Sequence, residues 1–528
     1  PHQMKDMDRL VEILAQKIRK QVHIRIIGDY DVDGVTSSHL FLTALRRVGA
    51  KVDVVIPHRI QDGYGLSLHL LQQAKEDGVD TILTCDNGIA AIDEIAWAKA
   101  QKMTVLVTDH HAVPFEEHEG RRTEKKSLAD AVVNPHQQDC GYPYKELCGA
   151  GVAWNVIRVL YENYDMDKRE AEDLLDFVAM ATVCDVMSLT GENRILVKEG
   201  LKRIRHTKNI GLQALMQACN VQPENISAYH FGYVLGPCVN ATGRLDTARH
   251  ALRLFETGQE TEAEEIARDL VDLNQERKEL TLQGVEMAKK LCEEGGYEKD
   301  PVLVLFLPDV HESIAGLIAG RIREMYNRPV FVLTRGEEGV KGSGRSTENY
   351  SMYENMCGCA ELFTKFGGHP MAAGLSLPEE NVEKFRRKIN ENCPLTVEEV
   401  CPDIHIDMAM PVGYASTELV HQFALLEPFG KDNPSPLFAD RNLSISRMWL
   451  IGKNRNVLRM SVLSEYGQPV PVIFFGDVET LFAYFTEKFG QEEVENALHG
   501  RKNPDFIFYG VYKQMIDFYQ GNEICSWR

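Results

Sequence analysis

The chain has 528 residues, with 78 acidic against 58 basic side chains and a formal net charge of −20. Its length suits three or four domains of ordinary size, no apolar stretch approaches the ~20 residues that span a bilayer, and the N-terminus carries no signal-peptide pattern. Twelve scattered cysteines without a second pair at zinc-site spacing read as reduced thiols of a cytoplasmic protein. The acid surplus repels phosphate at long range, so any nucleic-acid contact falls to local basic clusters such as 198–208 and 441–459. The chain starts at Pro1 with a helix-like segment under way by Asp8, as expected if a natural N-terminal piece is missing.

Three short apolar runs, Ile24 to Ile27, Thr81 to Leu83 and Val105 to Val107, each end in an aspartate motif. The motifs are Asp29-Tyr30-Asp31-Val32-Asp33-Gly34, Cys85-Asp86-Asn87-Gly88 and Asp109-His110-His111. Runs of this kind followed by glycine turns or helical stretches predict parallel strands of a doubly wound α/β sheet, whose ligands sit beyond the carboxyl ends. Further strands are predicted at Lys51 to Ile56 and Ala131 to Asn134. A helix after Gly34 buries Leu40, Phe41, Ala44, Leu45 and Val48 at helical spacing and leaves His39 on the surface. Strand alternation puts Asp29 and Asp31 on one side, with a turn at Gly34 breaking the alternation for Asp33.

Carboxylates crowded at a sheet edge raise one another's pKa unless a cation neutralises them. Oxygen ligands with one or two imidazoles suit Mn²⁺ or Mg²⁺ better than a structural zinc. Any one of these aspartates would also serve as a helix cap or an Asx turn, but three such strand ends together favour a metal site. Asp185 ends an apolar helical run from Leu174 to Val183, either closing that site or pairing with Arg194.

Residues 205–296 read as helical, with a periodic segment from Thr261 to Glu294 long enough to bridge two domains. A second α/β unit follows, with strands at Val302 to Leu307 and Val330 to Leu333 flanking a helix from His311-Glu312-Ser313 to near Asn327. Lys341-Gly342-Ser343-Gly344-Arg345-Ser346 reads as a loop whose glycines open backbone N–H groups to a phosphate that Arg345 clamps. Gly367-Gly368-His369-Pro370 reads as a tight turn presenting the imidazole to a cleft, or as an ordinary loop. After about Pro402, short strands at Leu443 to Met448, Val457 to Leu463, Val470 to Phe475 and Asp505 to Tyr512 predict a small β-barrel. Its Trp449, Phe474, Phe475, Phe508 and Tyr512 are either base-stacking platforms or core.

The order of these aspartate motifs, followed by Ala181-Thr182-Val183-Cys184-Asp185-Val186, resembles the DHH phosphoesterase superfamily and, within it, the RecJ single-strand-specific 5′-exonucleases. Ile56-Pro57-His58-Arg59 with Gly63-Tyr64-Gly65, and Gly236-Pro237 with Asn240-Ala241-Thr242-Gly243-Arg244, resemble RecJ segments. Ser343 to Ser346 and Phe366 to Pro370 resemble the companion domain, so the likeness runs nearly end to end. One departure is Asp432 where the family has glycine; a left-handed Asp is tolerable, so the turn is expected to survive.

The resemblance implies a DHH catalytic domain over 1–204, a helical connector over 205–296, a DHHA1 domain over 297–400 and an OB-fold over 401–528. It implies two divalent ions, Mn²⁺ or Mg²⁺, on Asp31, Asp33, Asp86, His110 and Asp185, with Asp86 on the central strand as the bridge. Asp29, Asp109 and His111 stand behind these ligands or face the phosphate, and His369 faces the metals. The catalytic set is then Asp86, His110, His111 and His369. Arg59, Ser343 and Arg345 hold a terminal 5′ phosphate bordered by Gly367, Gly368 and His369, while Asn240, Arg244 and Arg277 line the approach. The implied activity is hydrolysis of single-stranded DNA from its 5′ end in recombination and repair, alongside a single-strand-binding protein and a helicase. The rivals are a DHH phosphodiesterase acting on short RNA or cyclic dinucleotides, and a non-catalytic replication scaffold. The segment beyond Pro402 counts against the first, and the complete set of motif carboxylates against the second.

Overall fold

The computed structural model describes the whole chain apart from residues 60–61, 64, 119–120, 337–338, 392, 397–403, 453–455, 500–506, 520–521 and 528. Tyr64, Lys453, Arg455 and the start of the strand expected from Asp505 therefore lie outside the described residues. The chain divides into two compact units, Pro1–Pro402 and Asp403–Arg528. No described helix is long and apolar enough to cross a membrane, and the eleven described cysteines are all free.

The first unit opens on a parallel sheet of β1 (His23–Ile27), β2 (Lys51–Val55), β3 (Thr81–Cys85), β4 (Thr104–Thr108) and, after a small hairpin of β5 (Phe115–His118) and β6 (Arg121–Glu124), β7 (Ala131–Val133). The order is β2-β1-β3-β4-β7, so β3 is central and wholly buried. Burial on both faces explains why β3, β4 and β7 show no alternation of apolar and charged residues. Helices pack on each side, and the helix Val32–Arg47 is enclosed by Gly149–Asn163, Leu175–Cys184 and Ala248–Glu256. That enclosure buries Leu40, Phe41, Ala44 and Leu45 as expected, but it also corrects the expectation for His39. His39 is 6 % exposed, with its ring 4.5 Å from Phe177 and 5.8 Å from Phe255, because a helix covered by three others has no solvent face over this stretch.

The helix Glu260–Gly295 is the predicted long connector. Its first half sends Ile266, Ala267 and Leu270 into the core of the catalytic sheet's domain, and its second half sends Val285, Ala288 and Cys292 into the next core. That second core lies under a mixed sheet of β8 (Leu303–Phe306), β9 (Val330–Gly336), β10 (Gly339–Arg345), β11 (Lys365–His369) and β12 (Ala372–Leu377), ordered β11-β12-β10-β9-β8. The helix Glu312–Tyr326 begins at His311, whose side chain caps it, and ends at Asn327 in the left-handed region.

Two expected loops are strands. Lys341 to Arg345 lies within β10, the middle strand, and pairs with β9 and β12, so its backbone N–H groups serve the ladder and cannot cradle a phosphate. Its glycines answer to packing: a Cβ on Gly342 would lie 2.4 Å from Leu333, and one on Gly344 2.5 Å from the Met352 sulfur. Gly367 to His369 likewise forms the edge strand β11, and His369 is exposed on it.

The second unit is a curled sheet of β13 (Met408–Ala409), β14 (Phe438–Ile451), β15 (Val457–Leu463), β16 (Pro469–Phe475), β17 (Ile507–Tyr512), β18 (Gln514–Tyr519) and β19 (Asn522–Trp527). Strand β14 is irregular at Ile445/Arg447 and at Asp440/Leu443, and pairs with β15 along one part and β17 along another, as an OB-type half-barrel requires. Tyr512 belongs to the core against Trp527, and Phe474 and Phe508 pack on it, whereas Trp449 and Phe475 are exposed. Asp432 adopts φ 58° and the turn at Gly430–Asn433 forms.

Candidate metal centre and phosphate cleft

Five carboxylates and two imidazoles converge beyond the carboxyl ends of β1, β3 and β4. Donor atoms come together as Asp86, His110 and His111; as Asp33, His110 and Asp185; and as Asp29, Asp31 and Asp86. Strand alternation does not produce this. Strand β1 stops at Ile27, Asp31 is the N-cap of the helix Val32–Arg47 with its side chain accepting from Gly34 N–H at 3.0 Å, and Asp33 sits in the first helical turn. Gly34 is no turn but a close approach, since a Cβ there would lie 2.4 Å from the Asp29 carbonyl oxygen.

Asp33 is fixed from a distant part of the chain. Its two oxygens accept the backbone N–H groups of Gly149 (2.5 Å) and Ala150 (2.7 Å), the open end of the helix Gly149–Asn163. Asp86 follows β3 in the left-handed region at φ 60°, an uncommon conformation for a non-glycine residue and the kind of local strain that collects at functional sites. Asn87 anchors that turn by donating to the carbonyls of Ile27 and Cys85. Asp109 organises the third strand end, accepting from the backbone N–H of Ile89, His110 and His111, and bonding His111 Nδ1 at 2.8 Å. Asp185 caps the helix Leu175–Cys184 and lies 3.5 Å from His110 Nε2, which places it in the centre, as the first of its two expected roles requires.

The electrostatics of this cluster are those of a cation site. Burial, then the negative charge of Asp33, Asp31, Asp185 and Asp29, pushes the Asp86 carboxyl well above the usual range. Asp29 is pushed up by burial and Asp31, and Asp33 rises to about 6 by burial and Asp31 despite its two N–H bonds. His110 is driven down to about 3 by burial, and then by the charge of His111, so it is a neutral imidazole. Its Nε2 faces Asp86 Oδ1 at 3.0 Å, Asp185 Oδ2 at 3.5 Å and Asp33 Oδ2 at 3.6 Å, more acceptors than one N–H can serve. A neutral nitrogen among crowded carboxylate oxygens is a donor set that fits Mn²⁺ or Mg²⁺. His111 differs: burial lowers its pKa, but Asp109, with Asp185 and Asp33, outweighs this and lifts it to about 9. Asp109, in turn, is held low by His111 against the effect of burial.

Next to the carboxylates lies a cleft of about 420 Å³ lined by Tyr30, Arg59, Ser313, Lys341, Ser343 and Gly367, among others. Arg59 stacks over Tyr30, 4.9 Å from the ring centre. Arg244 donates to the Ser313 carbonyl at 2.6 Å, and burial followed by the charges of Arg59, Arg277 and Arg345 lowers it to about 10. Arg345 donates to the Gly344 carbonyl and is lowered by burial and by Arg59. Among the described residues none of these four arginines makes an ion pair. Glu312 also lines the cleft and pairs with Lys341 at 2.8 Å, so it is the arginines, not the lysine, that are left for an anionic ligand. Asn240 accepts from Val32 N–H at 3.1 Å, and Arg277 donates to Asn274, so both are held by the protein scaffold.

The structure thus gathers Asp29, Asp31, Asp33, Asp86, His110, His111 and Asp185 in one centre and Arg59, Ser343 and Gly367 in one cleft. It does not bring His369 to the metals: the exposed imidazole on β11 joins none of the three donor groups. An edge strand that holds Gly367 on the cleft fixes its register to β12, and that register leaves His369 at the strand's far end, opposite Ala372. Gly368, at φ 156°, also lies outside the cleft lining; a Cβ there would lie 2.5 Å from the Ala372 carbonyl. The pair Gly149-Ala150 and the ring of Tyr30 were not anticipated. The small-residue helix start Cys148-Gly149-Ala150-Gly151 was the available signal, but nothing local says which carboxylate it meets.

Three family descriptions match in succession: the DHH family, N-terminal domain, over residues 23–182; the DHHA1 domain over 299–393; and the RecJ OB domain over 406–523. The single-stranded-DNA-specific exonuclease RecJ of Haemophilus influenzae is 34% identical over 487 residues, covering 88% of this chain and 83% of that protein. This chain belongs to the RecJ family. The RecJ exonuclease of Bacillus subtilis is 33% identical over 89% of this chain, but the chain spans only 58% of that protein's length. Among solved structures, RecJ from Thermus thermophilus in complex with Mn²⁺ superposes with a TM-score of 0.79 at 27% identity, over 99% of this chain and 71% of that one. A manganese-bound exonuclease RecJ covers 75% of this chain and 96% of its own, with a TM-score of 0.64 at 31% identity.

Proposed function

We propose that this RecJ-family chain hydrolyses single-stranded DNA from its 5′ end, one nucleotide at a time, with two divalent cations, Mn²⁺ or Mg²⁺. The observation that carries this reading is the adjacency of a carboxylate-rich centre around a neutral His110 to Arg59 on the cleft, with Arg244 and Arg345 within reach of its charge and without an ion pair among the described residues. Asp31, Asp33, Asp86, His110 and Asp185 would hold the cations, and Asp86 and His110 each belong to two of the donor groups. When bound, the ions supply an activated water and neutralise charge on the phosphate.

The protein's own groups do the rest. Gly149 and Ala150 orient Asp33, while Asp109 keeps His111 cationic and so provides a donor for a phosphate oxygen. Arg59, Ser343 and Arg345 take the terminal phosphate, with Arg244 beside them, and so set the distance to the first internucleotide bond. Water adds to phosphorus, the 3′ oxygen of the first nucleotide leaves, and the shortened strand carries a new 5′ phosphate that refills the same cleft. This regeneration makes degradation stepwise. The OB domain would hold the longer strand, and the whole would work in the cytoplasm beside a single-strand-binding protein and a helicase.

The decisive experiment incubates the purified chain with Mn²⁺ and 3′-labelled or 5′-labelled single strands. Early release of the 5′-terminal mononucleotide, with the 3′ label retained on a shortening ladder, is expected. Internal cuts, release from the 3′ end, or no hydrolysis in either metal would overturn the reading.

A further inference from the structure

Between the centre and the surface, the segment 228–245 carries two side chains that the core does not use. Tyr229 and Tyr233 are 62 % and 71 % exposed, yet their rings stack on each other at 5.1 Å and 24°. Tyr229 precedes, and Tyr233 lies within, a π-helical stretch, Phe231–Leu235, inserted before the helix Gly236–Leu245. Widened turns of this kind are frequent at functional sites.

The segment is tied to the centre along its length. Cys184, the residue before Asp185, donates to the Phe231 carbonyl, and a Cβ on Gly236 would lie 2.3 Å from the Cys184 sulfur. One turn on, Asn240 accepts from Val32 N–H between Asp31 and Asp33, and a Cβ on Gly243 would lie 2.4 Å from the Tyr30 carbonyl oxygen. Arg244 then enters the arginine cluster. In order along one helical wall stand the terminal-phosphate cleft, the carboxylates and the two tyrosines. Arg244 and Tyr233 are eleven residues apart, about 16 Å at 1.5 Å per residue.

We infer that Tyr229 and Tyr233 form a base-stacking platform for the single strand on the far side of the scissile phosphate from the 5′ end. A strand whose 5′ phosphate lies at Arg244 and whose first bond lies at Asp31 and Asp185 continues along this wall onto the exposed rings. Stacking on tyrosine faces holds any base sequence, as a stepwise enzyme needs, and excludes a duplex whose bases are already paired. The inference rests on the exonuclease reading for its direction but on the exposed ring pair for its site.

The test is a cycle of two changes, in the protein and in the DNA. Affinity for a 5′-phosphorylated fluorescent 12-mer is measured by anisotropy in Ca²⁺, for wild type and for the Tyr229→Ala/Tyr233→Ala variant. It is repeated with a 12-mer abasic at nucleotides three to six. Wild type is expected to bind the intact strand at least about tenfold more tightly than the abasic one, and the variant to bind both with the weak affinity of the abasic complex. A Tyr229→Trp/Tyr233→Trp variant should retain the discrimination. Equal abasic penalties in wild type and the alanine variant would overturn the platform. Coupling without hydrolysis in Mn²⁺ would keep the platform and sink the exonuclease reading; hydrolysis without coupling would do the reverse.

Discussion

Asp33 accepts the backbone N–H of Gly149 at 2.5 Å across 116 residues of chain, and the absence of a side chain at Gly149 is what permits it. A Cβ on Gly149 would lie 2.6 Å from the Asp86 Cβ and 3.0 Å from Asp33 Oδ2. Gly149→Ala therefore pushes two proposed ligands at once, without touching substrate. Turnover should fall about a hundredfold, as for a displacement near 1 Å, while the melting temperature in EDTA changes by only a few degrees. Measured kcat within threefold of wild type would show that the helix end does not set the geometry of the centre.

Asp86 is held above its usual pKa by burial and by four other aspartates, so the metal-free fold is electrostatically strained at neutral pH. The D86N variant should consequently melt higher than wild type in EDTA, by about 2–4 °C for each kcal/mol relieved. Mn²⁺ should raise the melting temperature of wild type much more than that of D86N, and hydrolysis by the variant should fall at least about a hundredfold. Equal Mn²⁺ shifts, or activity within tenfold, would remove Asp86 from the metal centre.

Much of this was legible in the residues, and the gaps have physical causes. Apolar runs ending in Asp29, Asp86 and Asp109 located the sheet edge because strands buried on both faces cannot hide their length. The periodicity from Thr261 to Glu294 gave the connector because one face serves two successive cores. Glycines misled twice. In Lys341 to Arg345 they suggested a phosphate loop, whereas Leu333, Leu375 and Met352 press so close to the strand that a Cβ would collide. In Gly367 to His369 they suggested a tight turn, whereas the segment is an edge strand whose imidazole joins none of the three donor groups. His39 looked exposed because periodicity registers one apolar stripe and not a helix enclosed on three sides. The Gly149 contact is non-local, and sequence spacing carries no trace of it.

His39 supplies a pH test away from the centre. Burial, then the positive charge of Arg46, lowers its pKa from 6.5 to about 3, and its Nδ1 has no hydrogen-bond partner. The folded state thus stays neutral where the unfolded chain takes up a proton, so stability falls as pH drops below 6.5 and continues to fall towards 3. Relative to pH 8, this group should cost about 1.4 kcal/mol at pH 5.5. Unfolding free energies of wild type and His39→Leu from urea titrations should differ by a constant offset at high pH, and that difference should change by this amount at pH 5.5. Parallel profiles would show that His39 is protonated in the fold.

End recognition is tested at Arg345, which burial and Arg59 hold below the ordinary guanidinium range and which, among the described residues, donates to the Gly344 carbonyl and to no carboxylate. A cation so placed is satisfied by a phosphate bearing two charges more than by a hydroxyl. Arg345→Ala should raise KM for 5′-phosphorylated single strands by roughly thirtyfold, about 2 kcal/mol for charge-assisted hydrogen bonds, with kcat much less affected. On a 5′-hydroxyl strand the same variant should lose threefold or less, because the contact it removes was never made. Wild type should leave circular single strands intact, since they offer no terminal phosphate to the cleft. If the variant is impaired equally on both ends, or wild type cuts circles at a comparable rate, the arginine cluster serves the internal backbone and the polarity of the enzyme must be set elsewhere.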